Sequence, residues 1–572
     1  MNDVVLLGDE ALALGCLHAG LSCGFGYPGT PSTEIMEYLI DVYEKSVFDT
    51  QNPFVAQWCS NEKTAYESAL GASFAGKRAI VTMKHVGLNV AGDPFMNSAM
   101  VKINGGLIVA VADDPSMHSS QGEQDSRFMA DFAQIPCFEP TSQQEAYEMA
   151  FEAFETSEKF HTPVMMRLVT RLSHSRAPIH PIDESKIVPR NALKKADRSD
   201  WMLLPALARR RYDTILDRQG DLLKWSETSS RNILKMTNRR DLAIITSGLG
   251  RNYYNENLAD YEAVCKTEGK ELPSFLHIAT MPFPKALIQK LADQSSTILV
   301  IEEGQPLIEK RLLGLFASNT KIIGKLSGHL NQSGELNPDI VRKALGLCAH
   351  ETARSNLGEM AEFCMNLPGR PPQLCQGCPH GDSYAALNIA VENLIKKGGK
   401  DNVAVNADIG CYSLGARPPY NAIESIVCMG ASLGMARGAS QAGIKYTFGV
   451  IGDSTFLHSG ITNLVDCVST NTPVTAVILD NSIVAMTGCQ TTMLPSSQLE
   501  PLVKGIGIDQ KHIRVLATTP KNHEANAKVL EEEAEYRGPS VVIMVRECLE
   551  AFRLRTKKKK IAEAKASCNK KD

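Results

Sequence analysis

Short apolar runs alternate with longer amphipathic segments along most of the chain, and this alternation most constrains what it can fold into. In the first 180 residues such runs occur at Val4–Leu7, Ala79–Met83, Gly106–Val111 and Val164–Val169. The segment after the first run has helical spacing, with apolar residues at Leu12, Leu14, Leu17 and Leu21. Strands that alternate with helices indicate a parallel, doubly wound sheet. We therefore predict an α/β fold.

The same alternation returns twice, which predicts three doubly wound parallel-sheet domains. From about residue 236 to 350, the strand-like runs are Leu242–Ile245, Leu276–Ala279 and Ile298–Ile301. From about residue 373 to 550, they are Val403–Val405, Tyr446–Ile451, Val474–Leu479 and Val541–Val545. A chain of 572 residues has room for three such domains at roughly 150 residues each.

Three segments break the alternation and are predicted to connect or end the domains. Residues 181–235 are rich in Arg and Lys and have little strand signal, so we expect a helical arm or linker there. A solvated helix face explains its basic residues better than an anion site does. A linker is predicted at 351–372, around the boundary Pro368–Pro372, and a frayed or disordered basic tail at 551–572.

The composition argues against several classes of protein. Lys and Arg number 60 against 64 Asp and Glu, a net charge of −4 that does not support a general nucleic-acid or membrane-surface binder. No run of 18 apolar residues occurs and the N-terminus is acidic, so neither a membrane span nor a signal peptide is expected. The 15 cysteines, with Cys411, Cys428 and Cys467 in apolar runs, predict mostly buried thiols in a reducing cytoplasm.

The strongest local signal for chemistry lies in the third predicted domain. The run Tyr446–Ile451 leads into Gly452-Asp453-Ser454, and Asn481 follows the next run, 28 residues after Asp453. Ligands bind at the carboxyl ends of parallel strands, where a carboxylate and an amide oxygen would suit Mg²⁺. This spacing resembles the thiamine-diphosphate motif. An ordinary pair of strand-end residues is the alternative, and the flanking strands favour the cofactor.

The first predicted domain holds a carboxyl group of the kind that this cofactor needs. The thiazolium ring of thiamine diphosphate loses a proton to its own aminopyrimidine, and a carboxyl bonded to the pyrimidine promotes the required tautomer. Glu62 stands where the run Val55–Trp58 turns into a helix predicted to begin near Lys63. From these residues alone, an ordinary glutamate favoured by the helix dipole is the better explanation.

Nine segments carry a resemblance to one family, in register over residues 3–550. They are 26–31, 60–63, 82–89, 112–121, 123–125, 375–380, 408–415, 452–460 and 478–488. In these segments the chain resembles the alpha subunit of indolepyruvate:ferredoxin oxidoreductase, one of the 2-oxoacid:ferredoxin oxidoreductases. The resemblance implies a pyrimidine-binding domain at 1–180, a transketolase-C-terminal-like domain at 236–350 and a diphosphate-binding domain at 373–550.

The resemblance also implies an activity and its partners. This family decarboxylates a 2-oxoacid, with aryl pyruvates preferred, on thiamine diphosphate and Mg²⁺. It transfers the acyl group to coenzyme A and passes two electrons out through iron–sulfur clusters. The implied partners are a small beta-type subunit and ferredoxin or another electron acceptor. The implied assembly is a homodimer of this chain or a heterotetramer.

Catalytic residues follow from the resemblance position by position. Glu62 is implied as the carboxylate that activates the aminopyrimidine. Thr30, in the turn after Gly29, is implied to lie near the substrate and the thiazolium ring. His85 and His118 are implied as further catalytic residues, and Gln121 as a contact to the substrate carboxylate.

The resemblance further implies how the cofactor is held. Asp453 and Asn481 would bind Mg²⁺ together with the backbone carbonyl of Ile483, and His458 would contact the diphosphate or the reacting acid. The implied cofactor-binding residues are Tyr27, Pro28, Gly29, Lys84, Gly87, Cys375, His380, Asp408, Gly410, Gly452, Ser454 and Met486.

The Cys375-x-x-Cys378 pair admits several interpretations. Taken alone, it is half of a zinc site, a redox pair or a cluster fragment. The chain has no second C-x-x-C pair, Gly377 favours a tight turn and Pro379 follows. The resemblance implies a segment that opens the diphosphate domain and holds no metal. We therefore expect a turn packed against the cofactor.

Two departures from the family pattern matter. Cys489 stands where the family has histidine, and a thiol is a weaker donor than an imidazole. The family's alpha subunit continues into a ferredoxin-like domain, but only Cys548 and Cys568 lie in the last 80 residues, too few for one [4Fe–4S] cluster. We expect no iron–sulfur cluster in this chain, so electrons would leave through a partner or an absent domain.

Three functions therefore compete. The leading hypothesis is the thiamine-diphosphate subunit of an aryl-pyruvate oxidoreductase. A non-oxidative 2-oxoacid decarboxylase or carboligase is favoured by the lack of clusters and disfavoured by the match over the whole length. A non-catalytic, cofactor-binding subunit is disfavoured because Glu62, Asp453 and Asn481 are all present.

Overall fold

The computed structural model describes residues 3–45, 54–313, 320–349 and 372–557. Its two compact units are Met1–Leu367 and Pro368–Asp572. Both are built from helices and mostly parallel strands, which confirms the predicted α/β class. The linker predicted at 351–372 and the tail predicted at 551–572 lie mostly outside the described residues, and the other domain boundaries stay predictions.

The strands of the first unit form three sheets. In chain order they are β1 (Val4–Leu7), β2 (Cys23–Gly26), β3 (Val55–Trp58), β4 (Ala79–Lys84), β5 (Leu107–Asp113), β6 (Cys137–Phe138), β7 (Val164–Val169), β8 (Arg176–Ile179), β9 (Ile233–Lys235), β10 (Ala243–Ser247), β11 (Ser274–Ile278), β12 (Thr280–Met281), β13 (Thr297–Ile301) and β14 (Lys321–Ile323). The seven-stranded sheet has the order β12-β6-β7-β5-β4-β2-β3, and the five-stranded sheet the order β14-β13-β10-β11-β9. Only the edge pairings of β12 and β9 in these two sheets are antiparallel.

The seven-stranded sheet is buried on both faces because successive residues contribute to different cores. Ile80 belongs to one buried cluster, whereas its neighbours Ala79 and Val81 belong to another. The helices of the first unit are Gly8–His18, Thr33–Lys45, Glu62–Phe74, His85–Val90, Gly92–Ser98, Arg127–Ala133, Gln143–Phe160, Thr170–His174, Pro205–Thr228, Gly250–Glu256, Leu258–Thr267, Lys285–Ala292, Leu307–Leu312 and Pro338–Ala344. Two buried faces explain why β4 and β5 read as continuous apolar runs.

Three details of the first unit differ from the sequence-based expectations. β1 does not join the parallel sheet but pairs antiparallel with β8 in a separate two-stranded sheet. The first helix ends at His18, so Leu21 lies beyond it. In the arm predicted at 181–235, the helix Pro205–Thr228 is followed by β9, which extends the five-stranded sheet. A strand of three residues is too short to show an alternation of its own.

The second unit is built around one fully parallel sheet. Its strands are β15 (Val403–Ala407), β16 (Ser425–Ile426), β17 (Tyr446–Gly452), β18 (Thr475–Asp480), β19 (Ile483–Val484), β20 (Gln490–Thr491), β21 (Ile513–Ala517) and β22 (Ser540–Val545). Six of them pair in the order β16-β15-β17-β18-β22-β21, and β19 and β20 form a small hairpin. The helices are Pro379–Gly398, Ala431–Gln441, Asp453–Thr455, Ile461–Ser469, Leu499–Ile506 and His523–Glu535, with a π-helical turn at Phe456–Gly460.

The cysteines are less buried than their sequence context predicts. Cys467 is buried, but Cys411 is half-buried and Cys428 is exposed. Of the thirteen cysteines in the described residues, four are buried, so the expectation of mostly buried thiols is wrong. Cys428 precedes the helix Ala431–Gln441 rather than lying within a strand. In the part of the chain that the structure describes, no helix combines the length and apolarity needed to cross a bilayer.

Candidate active site

A buried turn follows β2 at the carboxyl edge of the seven-stranded sheet. The Gly29 amide donates to Thr33 Oγ1 at 3.1 Å, and Ser32 Oγ donates to the Gly29 carbonyl at 2.8 Å. These bonds join the turn to the helix Thr33–Lys45 and hold it compact. The turn carries four predicted site residues, of which the first three are buried and the last is half-buried: Tyr27, Pro28, Gly29 and Thr30.

Glu62 begins the helix that follows β3. Its surface is 4% exposed, and the strand before it ends at Trp58. Asn61 caps the helix, because its side chain accepts a hydrogen bond from the Thr64 amide at 2.9 Å, a contribution of about 1 kcal/mol. A buried carboxylate at the start of a helix also gains from the helix dipole. The position therefore suits both a capping role and a catalytic role for Glu62.

Gly87 lies directly against the Glu62 carboxyl group. A Cβ atom built on Gly87 would lie 2.6 Å from Glu62 Oε1 and 2.9 Å from its Cδ. Any side chain at position 87 would therefore displace the carboxylate. The fold brings together two predicted site residues that come from different helices.

His85 is a second buried group and begins the helix that carries Gly87. Its surface is 2% exposed, and its Nε2 lies 3.0 Å from the Gly122 carbonyl oxygen. Since a carbonyl only accepts, Nε2 carries a hydrogen, and Nδ1 has no hydrogen-bond partner among the residues that the structure describes. A buried polar atom is normally satisfied, so His85 Nδ1 fits a position that a bound group completes.

Lys84 ends β4 next to these groups. A Cβ atom built on Gly29 would lie 3.1 Å from the Lys84 Cδ, so the lysine stem packs on the turn. Its Nζ donates to the Ser119 carbonyl at 3.1 Å. Burial lowers the pKa of Lys84, and the charges of Asp114 and Glu62 oppose that shift. Lys84 therefore lies in the electrostatic neighbourhood of the candidate catalytic carboxylate.

The loop after β5 places His118 and Gln121 at the surface. His118 is exposed, and its Nε2 lies 3.2 Å from Glu335 Oε2. Gln121 is exposed as well. The structure does not bury these two side chains with Glu62, His85 and Gly87. Their predicted contacts to a substrate stay predictions.

Asp453 and Asn481 lie side by side at the carboxyl edge of the sheet in the second unit. Asp453 follows β17 and Asn481 follows β18, and these two strands pair in parallel up to Gly452. The side chains are 5% and 4% exposed. The Ser482 amide donates to Asp453 Oδ2 at 2.8 Å, which joins the two strand ends. Adjacent strands therefore deliver both side chains to one place, as the strand pattern indicates.

A second carboxylate, Asp480, was not predicted as a site residue. Its Oδ1 accepts from the Ser482 amide at 3.0 Å and from Ser496 Oγ at 2.8 Å, but its buried Oδ2 has no hydrogen-bond partner among the residues that the structure describes. Burial and the nearby Asp480 carboxyl raise the pKa of Asp453 well above its usual range. Two buried carboxyls and an amide, all oxygen donors, fit a divalent cation such as Mg²⁺. Its position directly before Asn481 was the one sequence feature that could have predicted Asp480 as a site residue.

His380 holds the side chain of Asn481. Asn481 Nδ2 lies 3.1 Å from His380 Nε2, and Asn481 Oδ1 accepts from the Ile483 amide at 3.2 Å. Burial lowers the pKa of His380 to about 4, so the ring is neutral at pH 7 and Nε2 accepts from the amide. Cys411 Sγ lies 3.3 Å from the same nitrogen. His380 therefore contacts the predicted metal ligand Asn481 directly.

Tyr412 packs over two glycines at the ends of β15 and β17. Its Cε1 lies 2.3 Å from a Cβ built on Gly410 and 2.6 Å from one built on Gly452, so neither position accommodates a side chain. The Tyr412 hydroxyl donates to Asp408, which also accepts from Ser432 Oγ at 2.7 Å. Burial raises the pKa of Asp408 to about 6. Three predicted cofactor-binding residues, Asp408, Gly410 and Gly452, therefore all contact Tyr412.

The segment from Asp453 to Cys489 carries the remaining predicted residues of this unit. The Ser454 amide donates to Asp453 Oδ1 at 2.9 Å, and Ile483 is half-buried in β19. Met486 is 59% exposed. Cys489 is half-buried in the hairpin turn between β19 and β20. His458 is buried in the π-helical turn.

Four thiols gather in the second unit although they lie far apart in the sequence. Burial raises the pKa of Cys411, and Cys378, Cys548 and Cys375 raise it further. The sequence gives no sign of this group, because Cys411 and Cys548 belong to no C-x-x-C pair. Cys375 itself is exposed, and the role predicted for its turn stays a prediction. Among the residues outside the gaps at 46–53, 314–319 and 350–371, and before 558, no set of three or more His, Cys, Asp or Glu side chains is arranged to hold a metal ion.

Two family profiles match the chain. The profile described as "Pyruvate flavodoxin/ferredoxin oxidoreductase, thiamine diP-bdg" covers residues 14–211, which include Glu62 and Gly87. The profile described as "Thiamine pyrophosphate enzyme, C-terminal TPP binding domain" covers residues 408–544, which include Asp453 and Asn481. Glu62 and Gly87 in the first unit, and Asp453 and Asn481 in the second, therefore lie inside thiamine-diphosphate-binding matches.

Relatives with assigned names match over most of the chain. The chain is 34% identical to the indolepyruvate oxidoreductase subunit IorA of Archaeoglobus fulgidus, over 96% of this chain and 88% of that protein. It is 33% identical to the subunit of the same name from Pyrococcus horikoshii, over 96% of this chain and 86% of that protein. A more distant match, 21% identical over 58% of this chain, is the ketoisovalerate oxidoreductase subunit VorB of Methanothermobacter thermautotrophicus.

A solved structure also resembles part of this chain. It is the 2-oxoglutarate:ferredoxin oxidoreductase of Magnetococcus marinus, with a TM-score of 0.47 and 16% identity, covering 60% of this chain and 65% of that one. The two profiles and the match to the IorA subunits at 33–34% identity identify the family independently of that likeness. The chain belongs to the IorA family of thiamine-diphosphate-dependent 2-oxoacid oxidoreductases.

Proposed function

We propose that this chain is the catalytic subunit of an enzyme that oxidatively decarboxylates an aryl 2-oxoacid, such as indolepyruvate, and forms the acyl-coenzyme A. The observation that carries this proposal is the presence of Glu62, Asp453 and Asn481, all buried at strand or helix ends, in a chain that matches indolepyruvate oxidoreductase subunits over 96% of its length. When bound, thiamine diphosphate would supply the nucleophilic carbon and the electron sink that decarboxylation of a 2-oxoacid needs.

Glu62 is the proton-holding group in this proposal. Its carboxyl would bond to the pyrimidine ring nitrogen and exchange a proton there. Gly87 supports the assignment, because the missing side chain leaves the carboxylate room to approach a flat ring. His85 Nδ1, which has no hydrogen-bond partner in the described part of the chain, is the second polar atom that a bound group could satisfy. Thr30 ends the adjacent turn and would face the same ligand.

Asp453 and Asn481 would hold Mg²⁺, with the Ile483 carbonyl as the third protein oxygen. Asp480 Oδ2 adds a negative charge beside Asp453, which favours a divalent cation over a monovalent one. Gly410 and Gly452 are cofactor-binding residues in this proposal, and both pack against Tyr412. Hydrogen bonds from backbone amides and a cation together would neutralise the diphosphate.

The proposed enzyme also needs a second substrate, an electron acceptor and a partner subunit. Coenzyme A would accept the acyl group, and the electrons would pass to ferredoxin or another acceptor. A small beta-type subunit would complete the enzyme, in a homodimer of this chain or in a heterotetramer. The enzyme would act in the cytoplasm. The relatives from Archaeoglobus fulgidus and Pyrococcus horikoshii are named as subunits, which supports a partner.

An anaerobic assay tests the proposal. The purified chain, with and without a small beta-type subunit, is supplied with thiamine diphosphate, Mg²⁺, coenzyme A and methyl viologen. Indolepyruvate, phenylpyruvate, pyruvate and 2-oxoglutarate are compared as substrates. We expect dye reduction and acyl-coenzyme A formation, measured by mass spectrometry, to be greatest with the two aryl acids.

Each alternative function predicts a different result in this assay. A non-oxidative decarboxylase would release aldehyde without reducing the dye and without needing coenzyme A. A non-catalytic subunit would bind thiamine diphosphate and leave every 2-oxoacid unchanged. A preference for pyruvate or 2-oxoglutarate would contradict the aryl assignment while leaving the reaction class in place.

A further inference from the structure

Lys84 Nζ has no anionic partner within the described part of the chain. Its one hydrogen bond to those residues is to the Ser119 carbonyl, at 3.1 Å. Among the residues that the structure describes, no carboxylate forms an ion pair with it, although Asp114 and Glu62 are near enough to act on its charge. An ammonium group has three hydrogens to donate, so two of them are available to a ligand.

Both oxygens of the nearby Asp114 carboxylate already accept hydrogen bonds. Its Oδ2 accepts from Ser120 Oγ at 2.6 Å and from the Ser119 amide at 2.8 Å, and its Oδ1 accepts from Thr170 Oγ1 at 2.8 Å. Asp114 therefore organises the loop after β5 instead of pairing with Lys84. The loop in turn contributes the carbonyl that holds the ammonium group.

Two contacts hold the Lys84 side chain in position, one along its stem and one at its ammonium group. The stem packs on Gly29, and the Ser119 residue that accepts from Nζ also donates from Oγ to the Thr30 carbonyl at 3.1 Å. Lys84 is thus tied to the turn that carries Thr30 and to the strand end near Glu62. A lysine held in this way loses little conformational freedom when it binds an anion.

We infer that Lys84 binds the carboxylate of the 2-oxoacid substrate. This inference rests on the proposed function and names the residue that recognises the acid group. A 2-oxoacid presents a single negative charge next to the carbon that is attacked, and a point cation with free donors suits it. The cofactor diphosphate is served by a different set of residues, because Asp453, Asp480 and Asn481 form the candidate cation site.

The test measures binding without turnover. Protein loaded with thiamine diphosphate and Mg²⁺ is titrated calorimetrically with 3-phenylpropionate and with 3-phenylpropanamide, which lack the reactive 2-oxo group. The wild type is expected to bind the acid about 10- to 100-fold more tightly than the amide, as for a hydrogen bond between charged groups. Lys84→Met is expected to abolish this preference, and Lys84→Arg to restore part of it.

Two controls separate this role from others. Lys102→Met removes an exposed lysine that pairs with Asp200 at 3.8 Å, and it should keep the preference for the acid. Binding of the substrate acid replaces the cofactor-binding role that the resemblance implies for Lys84. The affinity for thiamine diphosphate, followed by tryptophan quenching, should therefore be the same in Lys84→Met and wild type. Should Lys84→Met be poorly folded by circular dichroism, Lys84→Gln replaces it.

The possible results distinguish a failure of the role inferred for Lys84 from a failure of the proposed function. An unchanged preference for the acid in Lys84→Met overturns the inference, and so does a tenfold loss of thiamine diphosphate affinity. If the wild type prefers butyrate over butyramide but ignores the aryl pair, and Lys84→Met loses that preference, the role of Lys84 stands and the aryl assignment fails. If the wild type distinguishes no acid from its amide, both fail.

Discussion

Gly87 and the Glu62 carboxylate are in such close contact that a single methyl group on the glycine would reach Oε1 at 2.6 Å. Gly87→Ala is therefore expected to displace the carboxylate and lower kcat about 10- to 100-fold, since small misplacements of a catalytic group cost that much. Thiamine diphosphate affinity should change less than threefold. Steady-state kinetics and a cofactor titration measure the two effects.

Gly92→Ala is the matched control for this prediction. Gly92 begins the next helix, and a Cβ atom built there meets nothing within 4 Å. It should keep full activity and gain about 0.4–1 kcal/mol of stability, because alanine restricts the unfolded chain. Equal activity losses in both variants would show that the contact with Glu62 is not the cause.

Glu62→Gln should stop turnover and leave the cofactor bound. The amide keeps the shape of the side chain but cannot exchange a proton with the pyrimidine ring, so we expect a loss of roughly 10²–10⁴-fold in kcat. Hydrogen–deuterium exchange at the thiazolium carbon, followed by NMR, should slow in parallel. Activity within tenfold of the wild type would contradict the assignment.

Asp453→Ala should weaken Mg²⁺ binding and, with it, thiamine diphosphate binding. The substitution removes one of two buried carboxyls and leaves the diphosphate charge poorly compensated. Calorimetric titration of the cofactor at several Mg²⁺ concentrations measures the loss. Asp401→Ala, at an exposed position before β15, is the control. The same cofactor affinity in Asp453→Ala and in the control would remove Asp453 from the site.

We expect His277 to make the stability of the first unit depend on pH. Its side chain is fully buried in β11, Nδ1 lies 3.0 Å from Thr246 Oγ1, and burial with the charge of Arg251 lowers its pKa from 6.5 to about 4. Below pH 6.5 the unfolded chain binds a proton that the folded chain does not. Stability is therefore expected to fall by about 3 kcal/mol from this group as the pH drops from 6.5 to 4.

His277→Gln isolates this contribution. The amide keeps a polar partner for Thr246 but does not titrate, so the loss of stability between pH 6.5 and 4 should shrink by about 3 kcal/mol. Denaturant unfolding followed by tryptophan fluorescence is a suitable measurement, because the three tryptophans, Trp58, Trp201 and Trp225, all belong to the first unit. His329→Gln, at an exposed position, should leave the pH dependence unchanged.

The sequence predicted those parts of the fold whose residues face a core on both sides. Val164–Val169 was predicted to the residue, because a mostly apolar run marks a buried parallel strand. The short edge strands β9 and β12 were missed, since two or three residues show no periodicity and their pairing partners are distant. Their position is set by tertiary contacts.

The residues of the candidate site were also predicted only in part from the sequence. Asp453 and Asn481 were found because each follows a long strand and the two strands are adjacent. Asp480 was missed because a carboxylate at the last position of a strand looks like an ordinary strand end. The thiols of Cys411 and Cys548 were not associated with Cys375 and Cys378, since proximity across a sheet leaves no trace in sequence spacing.

The antiparallel pairing of β12 with β6 has a consequence for synthesis on the ribosome. β7 ends at Val169, but β12 follows only at Thr280–Met281, so the outer edge of β6 lacks its partner while roughly 100 more residues are made. At 5–20 residues per second this interval is on the order of ten seconds. An unpaired sheet edge recruits other strands. The nascent chain is thus most prone to aggregate during this interval, and a fragment cut within residues 181–235 would keep that edge exposed permanently.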